Sequence, residues 1–71
     1  MIMYKQYKYL DGLVVNNAII RIKDNATIPF DPANIDYQQF KSDVLSGAEL
    51  QNADGNVMTQ EQADAFIKEL P

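Results

Sequence analysis

The sequence predicts a small α+β domain, with an N-terminal antiparallel β-sheet of three or four short strands packed by two C-terminal α-helices. Residues 1–30 carry β-favouring residues divided by turn signals, and residues 31–47 and 59–70 each carry an apolar stripe at helical spacing. At 71 residues the chain has room for one domain. A chain of this length buries only about 60% of its unfolded surface, so we expect a thin core that an interface would stabilise.

Residues 1–30 are predicted to form a β-meander. Asp11-Gly12 is a strong signal for a two-residue hairpin turn between the runs YKYL and LVV. Asn16-Asn17 predicts a second turn, because asparagine tolerates positive φ better than most residues. The segment AIIRIK at residues 18–23 alternates as a half-buried strand does.

A further turn at Asp24-Asn25 leads into a short extended piece, Thr27–Phe30. Pro29 has no N–H to donate to a neighbouring strand, so this piece is predicted to lie at a sheet edge.

The first helix is predicted within residues 31–47, and two starts are open. Either Asp31 is the N-cap with Pro32 at the first helical position, or Asn34 is the N-cap with Asp36 in the first turn. Gly47 is expected to end the helix. The stripe that would pack on the sheet consists of Ala33, Tyr37, Phe40 and Val44.

The second helix is predicted at residues 59–70. Thr59 and Gln62 have the spacing of a capping box. The predicted apolar face consists of Ala63, Phe66, Ile67 and Leu70. Residues 48–58, between the two helices, are predicted to form a turn or tight hairpin around Asp54-Gly55.

Composition argues against an enzyme. The chain has no cysteine and no histidine, which removes disulfides, thiolate metal sites and the commonest general base. Asp31 and Asp36 are the nearest carboxylate pair, but both have simpler roles at the helix start. We therefore predict a non-enzymatic protein.

The charge is unevenly distributed along the chain. Residues 1–23 hold four basic residues and one acid, a net of +3, whereas residues 24–71 hold two basic residues and nine acids, a net of −7. Such a molecule could stack head to tail in an assembly. The competing interpretation is a solvated surface whose asymmetry arose by chance.

No membrane segment is predicted from the sequence. The longest apolar runs, Leu13–Val15 and Ala18–Ile20, are far shorter than the roughly 20 residues of a membrane helix. The N-terminus also lacks the apolar region of a signal peptide. We expect a product of the host cytoplasm.

Residues 50–61 partly match an EF-hand loop. Asn52, Asp54 and Glu61 stand at ligand positions 3, 5 and 12, but Leu50 occupies position 1, where a carboxylate is normally needed. The competing interpretation is an Asp-Gly turn followed by Glu61 in the first turn of a helix. We predict no metal and no other cofactor, and retain these three residues as an incomplete ligand set.

Tyr4, Tyr7 and Tyr9, together with Arg21, are the candidate partner-binding residues. A basic and aromatic sheet face can stack single-stranded bases. The sequence pI of about 4.4 argues against nucleic acid, because domains that bind it are usually basic. These residues are therefore predicted to cover a half-open sheet or to anchor a protein partner.

The stretch from residue 21 to residue 40 resembles a recurring module of tailed-bacteriophage proteins. Its pattern is R-x-x-D-x-A-x-I-P-x-D-P-x-N-x-D-Y-x-x-F, present here as Arg21, Asp24, Ala26, Ile28, Pro29, Asp31, Pro32, Asn34, Asp36, Tyr37 and Phe40. In tail-fibre and tail-assembly regions the module continues into a short helix and a glycine. This chain departs from it at Leu45-Ser46, where many such proteins carry Trp-Leu-Ala. Residues 50–71 also resemble the ends of some small phage proteins.

The resemblance implies a structural or assembly protein of the virion, associated with the tail, fibre or capsid, and located in the virion or the host cytoplasm. Its expected partners are other phage structural proteins or further copies of itself, with no nucleic acid and no membrane. The alternatives are a small phage accessory protein that binds a host factor, and a metal-binding module at residues 50–61. Apart from the resemblance, Pro29 and Pro32 each fix φ, so the module also specifies how the chain leaves the sheet and enters the helix.

Overall fold

The computed structural model describes residues 2–71. Within that range the chain forms four strands and two helices, in the order β1 (Ile2–Lys5), β2 (Ala18–Arg21), β3 (Ala26–Pro29), α1 (Ile35–Leu45), β4 (Glu49–Gln51) and α2 (Gln60–Lys68). The strands lie side by side in the order β3-β2-β1-β4. The predicted α+β class, with strands in the N-terminal part and helices in the C-terminal part, is confirmed.

The sheet is mixed. The first three strands are antiparallel neighbours, as the sequence predicts, and β4 joins β1 in parallel from its position between the two helices. The sequence of β4 does not predict a strand, because Leu50 is its one apolar residue. Leu50 is fully buried in the core, so tertiary packing rather than local pattern specifies this strand.

Two of the predicted turns differ in detail from the prediction. The Tyr9 N–H donates to the Leu13 carbonyl oxygen at 2.8 Å and the Gly12 N–H donates to the Tyr9 carbonyl oxygen at 2.9 Å. The hairpin loop therefore has three residues, with Gly12 at φ 87°, where a two-residue turn was predicted. The chain also bends at residues 16–17, where a turn was predicted from the tolerance of asparagine for positive φ. Among the described non-glycine residues, however, positive φ is found at Asn25, in the next turn.

Strand β3 is an edge strand, as Pro29 predicts. The Phe30 N–H donates to the Asn17 carbonyl oxygen at 2.9 Å, and the register pairs Ile19 with Ile28. By antiparallel alternation, Thr27 and Pro29 present their backbone groups outward. Because Pro29 has no N–H, this edge is a poor template for another strand.

Helix α1 begins by the second of the two predicted starts. Asn34 is the N-cap, and its side-chain oxygen accepts the Tyr37 N–H at 3.1 Å. Residues 31–34 thus precede the helix, and Ala33 is exposed rather than part of the packed stripe, because it lies before the first helical turn. The other stripe residues are buried, and Gly47 follows the helix at φ 108° as predicted.

Helix α2 has the predicted capping box. The Thr59 hydroxyl accepts the Gln62 N–H at 3.1 Å, and the Gln62 side chain accepts the Thr59 N–H at 3.0 Å. The preceding segment forms the predicted tight hairpin, closed by a bond from the Asn52 N–H to the Asn56 carbonyl oxygen at 2.8 Å.

The core lies between one face of the sheet and the two helices. Each strand contributes one side chain and the helices contribute five, which gives Tyr4, Ile19, Ile28, Leu50, Tyr37, Phe40, Val44, Ala63 and Ile67. Phe40 is fully buried, and its ring centroid lies 4.9 Å from that of Tyr4 in an edge-on arrangement. Across residues 2–71, neither helix is long and apolar enough to cross a bilayer.

Candidate interaction surface

A β-hairpin that lies outside the named strands carries the most conspicuous apolar surface. We call residues 7–15 the hairpin arm. Its two sides are joined by the bonds at Tyr9 and Leu13, by a bond from the Val15 N–H to the Tyr7 carbonyl oxygen at 2.9 Å, and by a bridge between Lys8 and Val14. These contacts fix which residues share a face.

Opposed residues in a β-ladder point to the same side, so the arm has two distinct faces. Tyr7, Tyr9, Leu13 and Val15 lie on one face, where Val15 is buried at the base and Leu13 is exposed near the tip. Lys8 and Val14 lie on the other face. The first face is wholly apolar or aromatic, and its outer residues, Tyr9 and Leu13, are about half and two-thirds exposed (49% and 65%).

The arm concentrates exposed apolar side chains. Among the described residues eight large apolar side chains are exposed, and half of them belong to the arm: Tyr9 (49%), Leu10 (109%), Leu13 (65%) and Val14 (45%). The others are spread over the turn after β2, helix α1 and the second hairpin, at Ile22, Ile35, Leu45 and Val57. Scattered single apolar residues are normal, whereas a cluster marks an interaction site.

An ion pair connects the arm to the second hairpin. The Lys8 Nζ lies 2.9 Å from the Asp54 Oδ1, with both side chains largely in solvent. Such a pair contributes at most about 1 kcal/mol. The pair links the base of the arm to the second hairpin.

The three tyrosines predicted to bind a partner differ in how much of the side chain is exposed. Tyr4 is only 1% exposed, and its hydroxyl donates to the Asp43 Oδ2 at 2.6 Å, so the prediction that it faces a partner is wrong. Burial and that hydrogen bond raise the pKa of Tyr4 above its ordinary value. Tyr7 is half-buried at the base of the arm and Tyr9 is exposed, so these two remain on an accessible surface.

Arg21, the fourth predicted partner-binding residue, is engaged within the fold. Its Nη2 and Nε donate to the two Asp24 carboxylate oxygens at 2.8 and 3.0 Å, and its Nη1 donates to the Asp36 Oδ1 at 3.1 Å. The hydrogen bonds from Arg21 lower the pKa of Asp24 to about 2. Arg21 thus ties the turn after β2 to the first turn of α1, and two of the three acidic residues of the module, Asp24 and Asp36, are its partners.

Other module residues also act within the fold. The Asp31 Oδ1 accepts the Ala33 N–H at 3.0 Å, and the Pro32 carbonyl oxygen accepts the Gln38 side-chain amide at 2.8 Å. The Tyr37 hydroxyl donates to the Pro71 main-chain oxygen at 2.7 Å. The module therefore specifies a strand-to-helix path, as its prolines predicted.

The EF-hand-like segment does not form a ligand cage in this structure. The Asn52 Oδ1 accepts the N–H groups of Asp54 and Asn56 at 3.0 Å each, while the Asp54 side chain is directed to Lys8. Leu50 is buried in the core and Glu61 lies in the first turn of α2. In the described part of the chain no three acidic side chains are grouped as metal ligands.

A groove of about 320 Å³ lies where the N-terminal end of β1 meets α1, and we call it the β1–α1 groove. Its lining combines apolar side chains with charged and polar ones, namely Met3, Tyr4, Arg21, Ile22, Lys23, Gln39 and Asp43. The Asp43 carboxylate is held by Tyr4 on one oxygen and by the Gln39 amide on the other, at 2.6 and 2.7 Å.

Comparison with protein-family models, curated proteins and solved structures found no match.

The sequence analysis predicts only part of the surface that the hairpin arm exposes. It predicts Tyr7 and Tyr9 as partner-binding residues, but not Leu10, Leu13 or Val14. The available signal is the run Leu13–Val15 after Asp11-Gly12, which is apolar at every position and therefore lacks the alternation that would bury one face of a hairpin and leave the other polar.

Proposed function

We propose that the protein is a non-enzymatic component or assembly factor of a tailed-phage particle, and that its hairpin arm contacts another phage structural protein. The observation that carries this proposal is the cluster of four exposed apolar side chains on the arm. Tyr9 and Leu13 share one face of the arm, Leu10 stands in the loop at its tip, and Val14 lies on the opposite face. Exposed apolar side chains concentrated on one projecting element commonly mark an interaction site.

The phage setting rests on the resemblance of residues 21–40 to the tailed-phage module. The internal hydrogen bonds of Arg21, Asp31 and Asn34 explain that pattern as a fold-specifying element. On this proposal the module builds the body of the domain, and the arm is the part that reaches a partner. The departure at Leu45-Ser46 lies in α1 and its C-cap, away from the arm.

The test is quantitative mass spectrometry of purified particles from a phage whose genome encodes this chain. We compare the wild type with the arm variant Leu10→Ser/Leu13→Ser, in which both altered side chains are exposed and the fold should persist. The matched control is Ile35→Ser/Leu45→Ser, which removes two exposed apolar side chains from α1 instead.

We expect the wild type and the control at the same defined copy number, and the arm variant reduced at least fivefold. Incorporation of all three at equal levels would overturn the role of the arm. Absence of the wild type from particles, with the chain bound to a host protein in infected cells, would replace the proposal with the accessory-protein alternative.

A further inference from the structure

We propose that the β1–α1 groove is a second binding site, and that it receives an arginine side chain of another protein. In this contact the guanidinium meets the Asp43 carboxylate, and the aliphatic part of the side chain lies against Met3 and Ile22. The site belongs to the body of the domain and is independent of the proposed role of the hairpin arm. It is carried by a carboxylate that has no cation, placed at the wall of a groove with apolar sides.

Asp43 is a half-buried carboxylate whose partners within the fold are neutral. The Tyr4 hydroxyl donates to its Oδ2 at 2.6 Å, and the Gln39 amide donates to its Oδ1 at 2.7 Å. No ion pair formed within residues 2–71 includes Asp43. A carboxylate oxygen can accept two hydrogen bonds, so each oxygen of Asp43 keeps one position for a further donor.

The charges around the groove are net negative. Arg21 lines the groove, but its guanidinium is already paired with Asp24 and Asp36. Lys23 is exposed and has no ion-pair partner in the described part of the chain. These two cations stand against the three carboxylates of Asp24, Asp36 and Asp43. The groove therefore favours a positively charged ligand over an anion.

An arginine matches the groove better than a lysine or a polyamine does. A guanidinium presents parallel N–H groups that can bond both oxygens of one carboxylate, whereas an ammonium acts as a point charge. Asp43 has one acceptor position left on each oxygen, which suits the guanidinium. A polyamine carries several ammonium groups, but the groove offers one carboxylate without a cation, and Lys23 repels a second positive charge.

The apolar part of the lining suits the stem of an arginine. Met3 is half-buried and Ile22 is partly exposed, and both line the groove. Long cationic side chains bury their methylene groups along apolar surface while the charged head keeps polar partners. The volume of about 320 Å³ is large enough for one such side chain.

The arginine must come from a different protein. Arg21 is the one arginine of this chain, and its Nε, Nη1 and Nη2 all donate to carboxylates within the fold. A second copy therefore has no free guanidinium to offer. The expected occupant is a basic segment of another protein, which also agrees with the acidic pI of about 4.4 of this chain.

The test is a titration of the isotope-labelled chain, followed by its backbone amide shifts in two-dimensional NMR at constant ionic strength. The probe is Nα-acetyl-L-arginine amide at up to about 50 mM, because a single side chain is expected to bind with a Kd of about 1–10 mM. We expect saturable shifts at the groove residues Met3, Ile22, Gln39 and Asp43. Nα-acetyl-L-citrulline amide has nearly the same shape without the charge, and it should bind at least about fivefold more weakly.

Two charge changes in the groove have opposite expected effects. Asp43→Asn removes the charge but keeps an oxygen acceptor, and it should weaken binding of the arginine probe at least about fivefold. Lys23→Gln removes a repelling cation and should tighten binding about twofold. The matched control is Asp64→Asn. Asp64 accepts the Gln60 amide at 2.8 Å, in the same spacing as Gln39 and Asp43, but it lies on α2 and does not line the groove, so binding should be unchanged.

Four results would overturn the inference. They are the absence of a saturable shift up to about 50 mM probe, equal binding of the citrulline and arginine probes, equal losses in Asp43→Asn and Asp64→Asn, and weaker arginine binding in Lys23→Gln. Inorganic phosphate serves as the anionic probe, and binding of phosphate at the same amides in place of arginine would indicate an anion site instead. Circular dichroism establishes that each variant is folded. Should Asp43→Asn unfold, the citrulline comparison and Lys23→Gln still decide the inference.

Discussion

Replacing Phe40 with alanine should come close to unfolding the domain. Phe40 is fully buried on α1, where it faces the sheet. Its ring lies edge-on to Tyr4 at 4.9 Å between centroids and nearly parallel to Phe30 at 6.1 Å. It therefore joins α1 to the central strand and to the start of the module's strand-to-helix path.

The expected cost follows from burial. Truncating a buried phenylalanine to alanine costs about 3–5 kcal/mol, and the lost aromatic pairing places this site toward the upper end. A domain of 71 residues has a total stability of roughly 4–10 kcal/mol. The variant should thus retain a small part of that stability or none.

Urea and thermal unfolding followed by far-ultraviolet circular dichroism measure this cost. We expect Tm to fall by at least about 12 °C for Phe40→Ala. The control Ile35→Ala changes an exposed residue at the start of the same helix and should cost less than about 0.5 kcal/mol. A loss of under about 1 kcal/mol at Phe40 would contradict the packing described for the core.

Two further predictions concern the charged and hydroxyl groups beside the module. Tyr4→Phe should destabilise the fold by about 1.5–3 kcal/mol in urea titrations, because it removes the 2.6 Å hydrogen bond to the Asp43 carboxylate. Because the pKa of Tyr4 is raised in the folded state, the contribution of Tyr4 to stability is fully present below about pH 10 and is lost at higher pH. Tyr4→Phe should therefore show a smaller alkaline loss of stability than the wild type. Asp24 has its pKa lowered from 3.8 to about 2 by Arg21, so its contribution is present above about pH 4 and is lost as pH falls toward 2. Urea midpoints of the wild type and Asp24→Asn across that range should converge, and parallel curves would show that Asp24 does not contribute.

Sequence reasoning succeeded where a few neighbouring residues decide the structure. The capping box of Thr59 and Gln62 and the edge position of Pro29 are properties of hydrogen-bonding groups within one or two turns of chain. The sequence alone does not decide between Asn34 and Asp31 as the N-cap of α1, because both residue types suit that position. In the structure Asn34 is the N-cap and accepts the Tyr37 N–H, whereas the Asp31 side chain accepts the Ala33 N–H in the turn before the helix.

Long-range packing decided what the sequence could not. Tyr4 and Tyr9 each stand next to a lysine in the sequence, yet Tyr4 is buried beneath α1 and Tyr9 projects from the arm. Their difference arises from β4 and α1, which close over Tyr4 and reach it from residues far along the chain. Arg21 is likewise predicted from the sequence to bind a partner, but the fold places Asp36 within hydrogen-bonding distance of its guanidinium.

The position of β1 has a consequence for the order in which the chain can fold during synthesis. The two hydrogen-bonded neighbours of β1 are β2 and β4, so β1 lacks one of them until residue 51 has been synthesised. The buried face of Tyr4 needs α1 as well. A nascent chain that stops before Gln51 therefore contains the antiparallel strands but not the complete sheet. Because non-local pairing must wait for the loop that closes it, the domain is expected to form as one cooperative unit once β4 has been synthesised.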